Sequence, residues 1–318
     1  MNSAGFASDE ALKGLVSALA WLPSTVSDPW TQHWLASTDV NDNYLAVFLS
    51  SLRRTNPGEN LGKLLRRDAC QQHKKLYARC LRLIGELKRR DLAPELDKAM
   101  KSENANVAFW AIWSAILLGD KSLAHTLEPY VFSSSPFQDR ALHVAMRTLS
   151  VNDARHWIAR LSSDPKNERQ VIKAKGMLGD PQAAEWLIEK MRDAQLARLA
   201  GEAFTLITGI DLVENHLTQE PPQDRALTPS ENPDDDDIAM DEDEKLPWPQ
   251  ADLVDAFWKS ARGQFNQGER YLLGKEITAA NLSGHLQEAN QRQRQAAALE
   301  RALLEPSQIF TNTRAKVA

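Results

Sequence analysis

The sequence lacks the features by which membrane and secreted proteins are usually recognised. It has only two cysteines, Cys70 and Cys80, and both fall in a segment with helical periodicity. This placement argues against a structural disulfide and fits a reducing compartment. No run of about 18 apolar residues occurs, and the N-terminal residues carry no basic stretch of the kind that opens a secretory signal. We therefore predict a cytoplasmic protein without membrane insertion.

Catalytic and metal-binding motifs are missing as well. The seven histidines are scattered and never stand four residues apart. HExxH, CxxC, Walker, GxGxxG and GxSxG motifs do not occur. The formal net charge of -5 is mild and argues against a general nucleic-acid-binding protein. We expect no enzyme, no cofactor and no metal site.

What the sequence does contain is an internal repeat of about thirty residues. Each unit has an apolar helix that ends at a leucine, a short turn that usually holds Gly or Asp, and a second amphipathic helix. The marker leucines are Leu52, Leu87, Leu118, Leu149, Leu178 and Leu206. Two helices per unit at this period are typical of an α-solenoid. We predict an all-α fold with a repeat array over residues 1–212, an acidic, Pro-rich loop or linker over 213–250 and a C-terminal helical capping region over 251–318.

Several stretches together resemble one family of bacterial HEAT-like proteins. They are GLVSALAWL near the start, FWAIWSAILLGD (109–120), RLAGEAFTLITGIDL (198–212), LPWP (246–249), RYLLGKEIT (270–278) and QRQRQAAALERALL (291–304). The units are similar to the short HEAT repeats of phycobilin-lyase-type proteins. The family has no established activity and is often encoded beside type VI secretion components and toxic effectors. The resemblance implies an adaptor or chaperone for a secreted effector, or an immunity protein that binds and neutralises a toxin.

Alignment of the helices on their marker leucines separates core positions from surface positions. The column seven residues before the marker is apolar throughout and holds Leu45, Cys80, Ala111, Leu142, Val171 and Leu199. The columns eight and five before it are mixed, as expected of a solvated surface. Because concave solenoid surfaces bind extended partners, we predict protein-binding residues there, namely Tyr44, Arg79, Arg82, Trp110, Trp113, Gln170, Lys173 and Arg198.

Trp110 and Trp113 allow two interpretations. Exposed tryptophans beside arginines have the composition of an interface hot spot. Alternatively, the acidic segment or the C-terminal region folds back and covers them. The other tryptophans of the helical stripes are expected in the core, and they are Trp21, Trp30, Trp34, Trp157 and Trp186.

An acidic segment interrupts the helical pattern from Glu214 to Gln250. Its acidic residues are Asp234, Asp235, Asp236, Asp237, Asp241, Glu242, Asp243 and Glu244. It lacks the glycine turn and the spaced terminal glutamate of an EF-hand, so calcium binding is not predicted. The segment is either a solvated, partly disordered linker, a mimic of nucleic acid, or a loop that docks on basic residues. Candidates for that docking, in this chain or a partner, are Arg66, Arg67, Lys88, Arg89 and Arg90.

The C-terminal region is predicted to be helical. One helix is expected over 248–265, and a long helix from Ala279 or Asn281 to Leu304 should cap the last repeats. RYLLGKEIT is too short to classify, although its glycine indicates a turn before Thr278.

Glu202 is the one residue that invites a catalytic interpretation. It stands in a column that is otherwise mostly apolar. Such a carboxylate either meets a basic residue, caps a turn or takes part in catalysis. A HEAT-type lyase-like enzyme would need a pocket with convergent polar groups, and a repeat's fold does not carry its function. The sequence therefore predicts a non-enzymatic protein–protein interaction module, with a secreted effector or toxin as its partner.

Overall fold

The computed structural model describes residues 9–222 and 241–313. Within these residues it contains 17 α-helices and a single two-stranded sheet, which confirms the predicted all-α class. None of the described helices combines the length and the apolar character that crossing a membrane requires. The first nine helices are α1 (Asp9–Trp21), α2 (Ser24–Ala36), α3 (Val40–Arg53), α4 (Glu59–Leu65), α5 (Asp68–Gln72), α6 (Lys74–Glu86), α7 (Ala93–Ala99), α8 (Ala105–Leu117) and α9 (Glu128–Val131).

The remaining helices are α10 (Gln138–Thr148), α11 (Val151–Leu161), α12 (Glu168–Leu178), α13 (Ala184–Lys190), α14 (Ala197–Thr208), α15 (Ala251–Ala261), α16 (Ala279–Glu288) and α17 (Gln291–Leu304). Short 3-10 turns lie at Arg90–Leu92, Lys121–Leu127, Pro165–Asn167, Pro181–Ala183 and Arg262–Gln264. The strands are β1 (Tyr271–Leu272) and β2 (Lys275–Glu276).

The chain divides into two compact units. Unit 1 consists of Met1–Phe137 together with Ala298–Ala318, and unit 2 consists of Gln138–Ala297. This division does not follow the predicted boundaries at residues 212 and 250. It assigns the end of α17 and the residues after it to the same unit as the N-terminal helices.

The marker leucines coincide with the ends of six helices. These are α3, α6 and α8 in unit 1 and α10, α12 and α14 in unit 2, each ending within two residues of its marker. Within unit 1, α6 packs against both α3 and α8, and within unit 2, α12 packs against both α10 and α14. The starts of α3 and α8 are encoded locally, because Asp39 and Asn104 accept hydrogen bonds from the backbone N–H groups of Asn41 and Val107.

The core follows the predicted apolar column. All six of its residues are buried, from Leu45 and Cys80 to Leu199. The two cysteines are free and buried. Trp157 is in the core as expected, whereas the prediction for Trp21 and Trp30 is wrong, because these side chains are exposed.

The hairpin of unit 2 closes the ends of two helices. Its connecting residues Leu273 and Gly274 both have positive φ, as a two-residue I′ turn requires. Tyr271 N donates to Gly179 O at 2.8 Å, and Leu273 N donates to Leu206 O at 2.7 Å. These bonds satisfy carbonyl groups at the C-terminal ends of α12 and α14 that the helices themselves leave without partners.

Gly179 should be essential for this arrangement. It caps α12 at φ 74°, and a Cβ there would overlap the carbonyl oxygen of Tyr271. We expect Gly179→Ala to lower the free energy of unfolding by about 1–3 kcal/mol or more, because backbone strain adds to the overlap. Chemical denaturation measures this loss. The matched control is Gly263→Ala, where nothing lies within 4 Å of the added atom, and equal stability of the two variants would contradict the assignment.

The predicted long C-terminal helix is wrong, because the structure has two helices there. Ala289 is extended at φ -77° and ψ 164° and ends α16. Asn290 then starts α17 through a reciprocal pair of hydrogen bonds with Gln293, at 3.1 Å from Gln293 N to Asn290 Oδ1 and 3.2 Å from Asn290 N to Gln293 Oε1. This is a capping box, so the helix start was encoded in the residues ANQRQ.

Candidate functional site

The predicted surface residues of unit 1 lie on three neighbouring helices. Tyr44 is on α3, Arg79 and Arg82 are on α6, and Trp110 and Trp113 are on α8. Trp110 is 9% exposed and Trp113 is 5% exposed. The interpretation in which these indoles lie open to a partner is therefore wrong, and for Trp113 the alternative, cover by the C-terminal region, is what the structure has.

The tryptophans and arginines do come together as the columns predicted. The guanidinium carbon of Arg82 lies 4.4 Å from the ring centroid of Trp110 and 5.9 Å from that of Trp113. The two indoles meet edge to face with their centroids 5.3 Å apart. This is cation–π geometry inside a partly desolvated environment, where such contacts are strongest.

Glu86 is the centre of this cluster, and sequence reasoning missed it. Its side chain is 1% exposed and pairs with Arg82 Nε at 2.8 Å and Arg54 Nη1 at 3.1 Å. Ser51 donates its hydroxyl to the same carboxylate. Burial alone would raise the pKa of Glu86, but Arg82, Arg54 and Arg79 together outweigh it, and the pKa lies below its ordinary value. The available signal was a lone carboxylate in the apolar sequence LIGEL.

Arg79 completes the cluster. Its Nη2 donates to Ser51 Oγ at 2.8 Å, and its guanidinium lies 5.5 Å from the ring centroid of Phe48. Burial lowers the pKa of Arg79 to about 10, although Glu86 acts in the opposite direction. We call Arg54, Arg79, Arg82, Glu86, Trp110 and Trp113 the arginine–tryptophan cluster. It has three guanidinium groups for one carboxylate.

Residues 305–313, the C-terminal strap, cover this cluster. Phe310 N donates to Glu86 O at 2.9 Å, and Arg54 Nε donates to Phe310 O at 2.6 Å. The Phe310 ring lies 5.9 Å from the Trp113 ring between centroids. Asn312 Nδ2 donates to Leu52 O at 2.6 Å. The strap thus binds unit 1 through backbone, amide and aromatic contacts at once.

The predicted surface residues of unit 2 meet the acidic segment. Gln170 and Lys173 lie on α12 and Arg198 lies on α14. Residues 241–244, the acidic turn, lie against Lys173 and Arg198, whereas Asp234, Asp235, Asp236 and Asp237 lie outside the described residues. Gln170 has a buried Oε1 without a hydrogen bond from the described residues. The acidic turn therefore occupies the face that was expected to bind a partner.

Four cations hold the acidic turn. Arg169 Nη1 lies 2.9 Å from Asp243 Oδ2, and Lys173 Nζ lies 3.4 Å from Glu242 Oε2. Arg198 pairs with the Asp241 carboxylate and also donates to Asp243 O at 3.0 Å. Arg292 Nη2 donates to Glu242 O at 2.5 Å. We call these cations, Arg169, Lys173, Arg198 and Arg292, the basic patch.

Electrostatics and burial mark Asp241 and Asp243 as the anchors of the turn. The Asp243 side chain is only 4% exposed, whereas that of Glu242 is 71% exposed. Burial would raise the pKa of Asp241, but a hydrogen bond from Asp243 N and the Arg198 guanidinium hold it below its ordinary value. The hydrogen bond to Asp243 raises the pKa of Arg169. Such charge-assisted contacts are stronger than neutral ones.

The predicted docking residues of the acidic segment are wrong for its described part. Arg66 pairs with Glu95 at 3.0 Å, and Arg89 pairs with Asp91 at 2.6 Å. Arg67 donates to Ser37 O at 3.0 Å, and Lys88 donates to Ala302 O at 2.8 Å. These four cations are engaged in contacts within unit 1, and Arg90 is exposed. The acidic turn instead binds cations of unit 2, which are closer to it in the sequence.

The two clusters have in common that a later segment of the chain covers a surface of the repeat helices. In unit 1 the cover is the C-terminal strap, and in unit 2 it is the acidic turn. No protein-family model, curated protein or solved structure matches the chain.

Proposed function

We propose that the protein is a non-enzymatic interaction module that binds an acidic segment of another protein through the basic patch. The observation that carries this proposal is that the chain's own acidic turn is bound by ion pairs and hydrogen bonds from the basic patch, Arg169, Lys173, Arg198 and Arg292. A surface that holds two aspartates and an intervening glutamate can hold a similar sequence from a partner. The acidic turn is then an internal competitor.

The geometry supports recognition of backbone and side chains together. Arg198 and Arg292 donate to the carbonyl groups of Asp243 and Glu242, which fixes the backbone of the bound turn. Arg169 and Arg198 select carboxylates, because a guanidinium matches carboxylate geometry better than an ammonium does. Trp248 lies beneath Arg198, 4.8 Å from its guanidinium carbon to the ring centroid, and orients that side chain.

We further propose a HEAT-like α-solenoid as the scaffold and a type VI effector as the partner. The approximately thirty-residue spacing of the six aligned helices and their side-by-side packing within each unit support the scaffold. The type VI context follows from the sequence resemblance alone. An adaptor should be needed for loading or export of its effector, whereas an immunity protein should block toxin activity stoichiometrically.

A peptide competition experiment tests the acidic-segment proposal without knowledge of the partner. The probe is a fluorescein-labelled peptide with the sequence of residues 241–250, DEDEKLPWPQ. We expect weak binding to the wild type, because the tethered turn competes at an effective concentration on the order of millimolar. In Asp241→Asn/Asp243→Asn the turn should release the patch, and peptide affinity should rise at least about tenfold. Added salt should weaken this binding.

Cation variants supply the control. In the Asp241→Asn/Asp243→Asn background, Arg169→Ala and Arg198→Ala should each abolish the gain, whereas Arg192→Ala should leave it unchanged. Arg192 is a matched choice, because it pairs with Asp252 in the same unit and does not touch the acidic turn. Peptide affinity that is unchanged in both Arg169→Ala and Arg198→Ala would contradict the proposal.

A further inference from the structure

Unit 2 contains a polar cavity beside the basic patch. It lies between α10, α12, α14 and the first turns of α17, and its volume is about 190 Å³. Apolar residues such as Met177 and Leu199 form part of its wall. The polar side chains that line it are Asp139, His143, Arg147, Lys173, Glu202, Arg292 and Gln295. This volume is below that of pockets for drug-sized ligands, about 300–1,000 Å³, so a ligand would be small.

His143 presents a hydrogen-bond donor to this cavity. Arg147 Nη1 lies 3.2 Å from His143 Nδ1, and arginine can only donate, so Nδ1 accepts. Burial, together with Arg147, Lys173 and Arg140, lowers the pKa of His143 to about 3. The imidazole is therefore neutral at ordinary pH and carries its proton on Nε2. No described residue forms a hydrogen bond to that Nε2 atom.

Glu202 supplies a second group without a partner. Its carboxyl forms no hydrogen bond and no ion pair with the described residues. Burial raises its pKa; Arg292 counteracts this, while Asp211 and Asp243 add to it. When it is protonated, such a carboxyl can donate a hydrogen bond. Glu202 was unusual in the sequence because its column is mostly apolar, and in the structure its side chain lies at the cavity wall.

The charges around the cavity favour an anion. Arg147, Lys173 and Arg292 are cationic, and Asp139 pairs with Lys173 at 3.2 Å. Lys173 and Arg292 already hold Glu242 of the acidic turn, through its carboxylate and its carbonyl group. We infer that this cavity is a binding site for a carboxylate group, with the His143 imidazole and the Glu202 carboxyl at its wall and Lys173 and Arg292 as cations. The carboxylate belongs either to a small organic acid or to an acidic side chain of a bound segment.

Proton uptake should accompany binding. An ionised Glu202 would repel the ligand carboxylate, so the bound state has Glu202 protonated and hydrogen-bonded to the ligand. The charged or titratable groups that face it are Arg292, Asp211 and Asp243, with Asp139, His143, Arg147 and Lys173 across the cavity. Since the ligand raises the pKa of Glu202 further, affinity should fall as the pH rises through that pKa.

Titration calorimetry with succinate at pH 6 and pH 8 tests this inference on the full chain. We expect saturable binding that is weaker at pH 8, with a heat that depends on the buffer because a proton is taken up. His143→Phe removes the Nε2 donor and should weaken binding about tenfold or more. His143→Gln keeps an N–H donor and should restore most of the affinity. Glu202→Gln keeps a neutral donor and should bind with little dependence on pH.

The same variants separate this inference from the proposed function. If only the acidic peptide binds, and its affinity falls in His143→Phe, the carboxylate comes from a side chain of the bound segment. If succinate binds in the Arg169→Ala variant while the peptide does not, the cavity acts independently of the basic patch. Absence of succinate binding, together with peptide binding that is unchanged in His143→Phe, would overturn the inference. Thermal melts of each variant show whether a loss reflects unfolding.

Discussion

Replacement of Trp113 by alanine should lower the free energy of unfolding by about 3–5 kcal/mol. The side chain is 5% exposed and lies against Arg82, Trp110 and Phe310, so its removal leaves a cavity that these groups cannot fill. Trp110→Ala should cost a similar amount, because its ring carries the closer contact with Arg82. Chemical denaturation with tryptophan fluorescence and circular dichroism measures both losses.

Trp21→Ala is the matched control for these substitutions. Trp21 is 89% exposed, and exposed positions usually change stability by no more than about 0.5 kcal/mol. The two buried substitutions should not add, because the indoles are in contact. A wild-type melting temperature in Trp110→Ala/Trp113→Ala would show that these side chains are not buried in solution and would restore the interpretation as an open binding surface.

Removal of the Glu86 charge should lower the free energy of unfolding nearly as much as the tryptophan substitutions do. In Glu86→Gln, Arg54, Arg79 and Arg82 lose their shared counter-charge in a buried environment. Breaking a buried ion pair from one side typically costs about 3–5 kcal/mol. The control is Glu59→Gln, whose pair with Lys63 is exposed, so little change is expected there. Equal effects of the two substitutions would mean that the cluster is not desolvated.

The pH dependence of this effect has a definite sign. The pKa of Glu86 is lower in the folded protein than its ordinary value. The contribution of the Glu86 carboxylate to the free energy of unfolding is therefore fully present above the pKa of an unfolded glutamate, about 4.3. It is lost as the pH falls through the folded-state pKa. The stability difference between wild type and Glu86→Gln should be largest near neutral pH and should narrow on acidification, as equilibrium unfolding at several pH values would reveal.

Much of the helical architecture could be predicted from the sequence. The marker leucines and the column that begins with Leu45 report burial at fixed helical intervals, and this information is local. The same alignment also brought Arg82 to Trp110, because equivalent positions on neighbouring helices lie side by side. The break at Asn290 was readable too, since a capping box requires only Asn290 and Gln293.

The cover over these helices could not be predicted in the same way. Phe310 contacts Arg54 and Glu86 across more than two hundred residues, and no periodic pattern links them. For the acidic turn, charge alone allowed many cationic partners, of which Arg66 and Lys88 were plausible on composition. In the structure the turn binds Arg169 and Arg198. A bridge between Thr218 and Pro249 joins the two ends of the segment and so keeps the turn within unit 2.

The hydrogen bond between Phe310 and Glu86 also determines when unit 1 can be completed during synthesis. Unit 1 is built from two stretches of chain with all of Gln138–Ala297 between them. At roughly 5–20 residues per second, the ribosome needs on the order of ten to thirty seconds to make that intervening part. During this interval the nascent N-terminal helices wait with Trp113 and Glu86 uncovered. Unit 1 therefore reaches its final packing after translation has passed Asn312, although its first helices leave the ribosome long before unit 2 is complete.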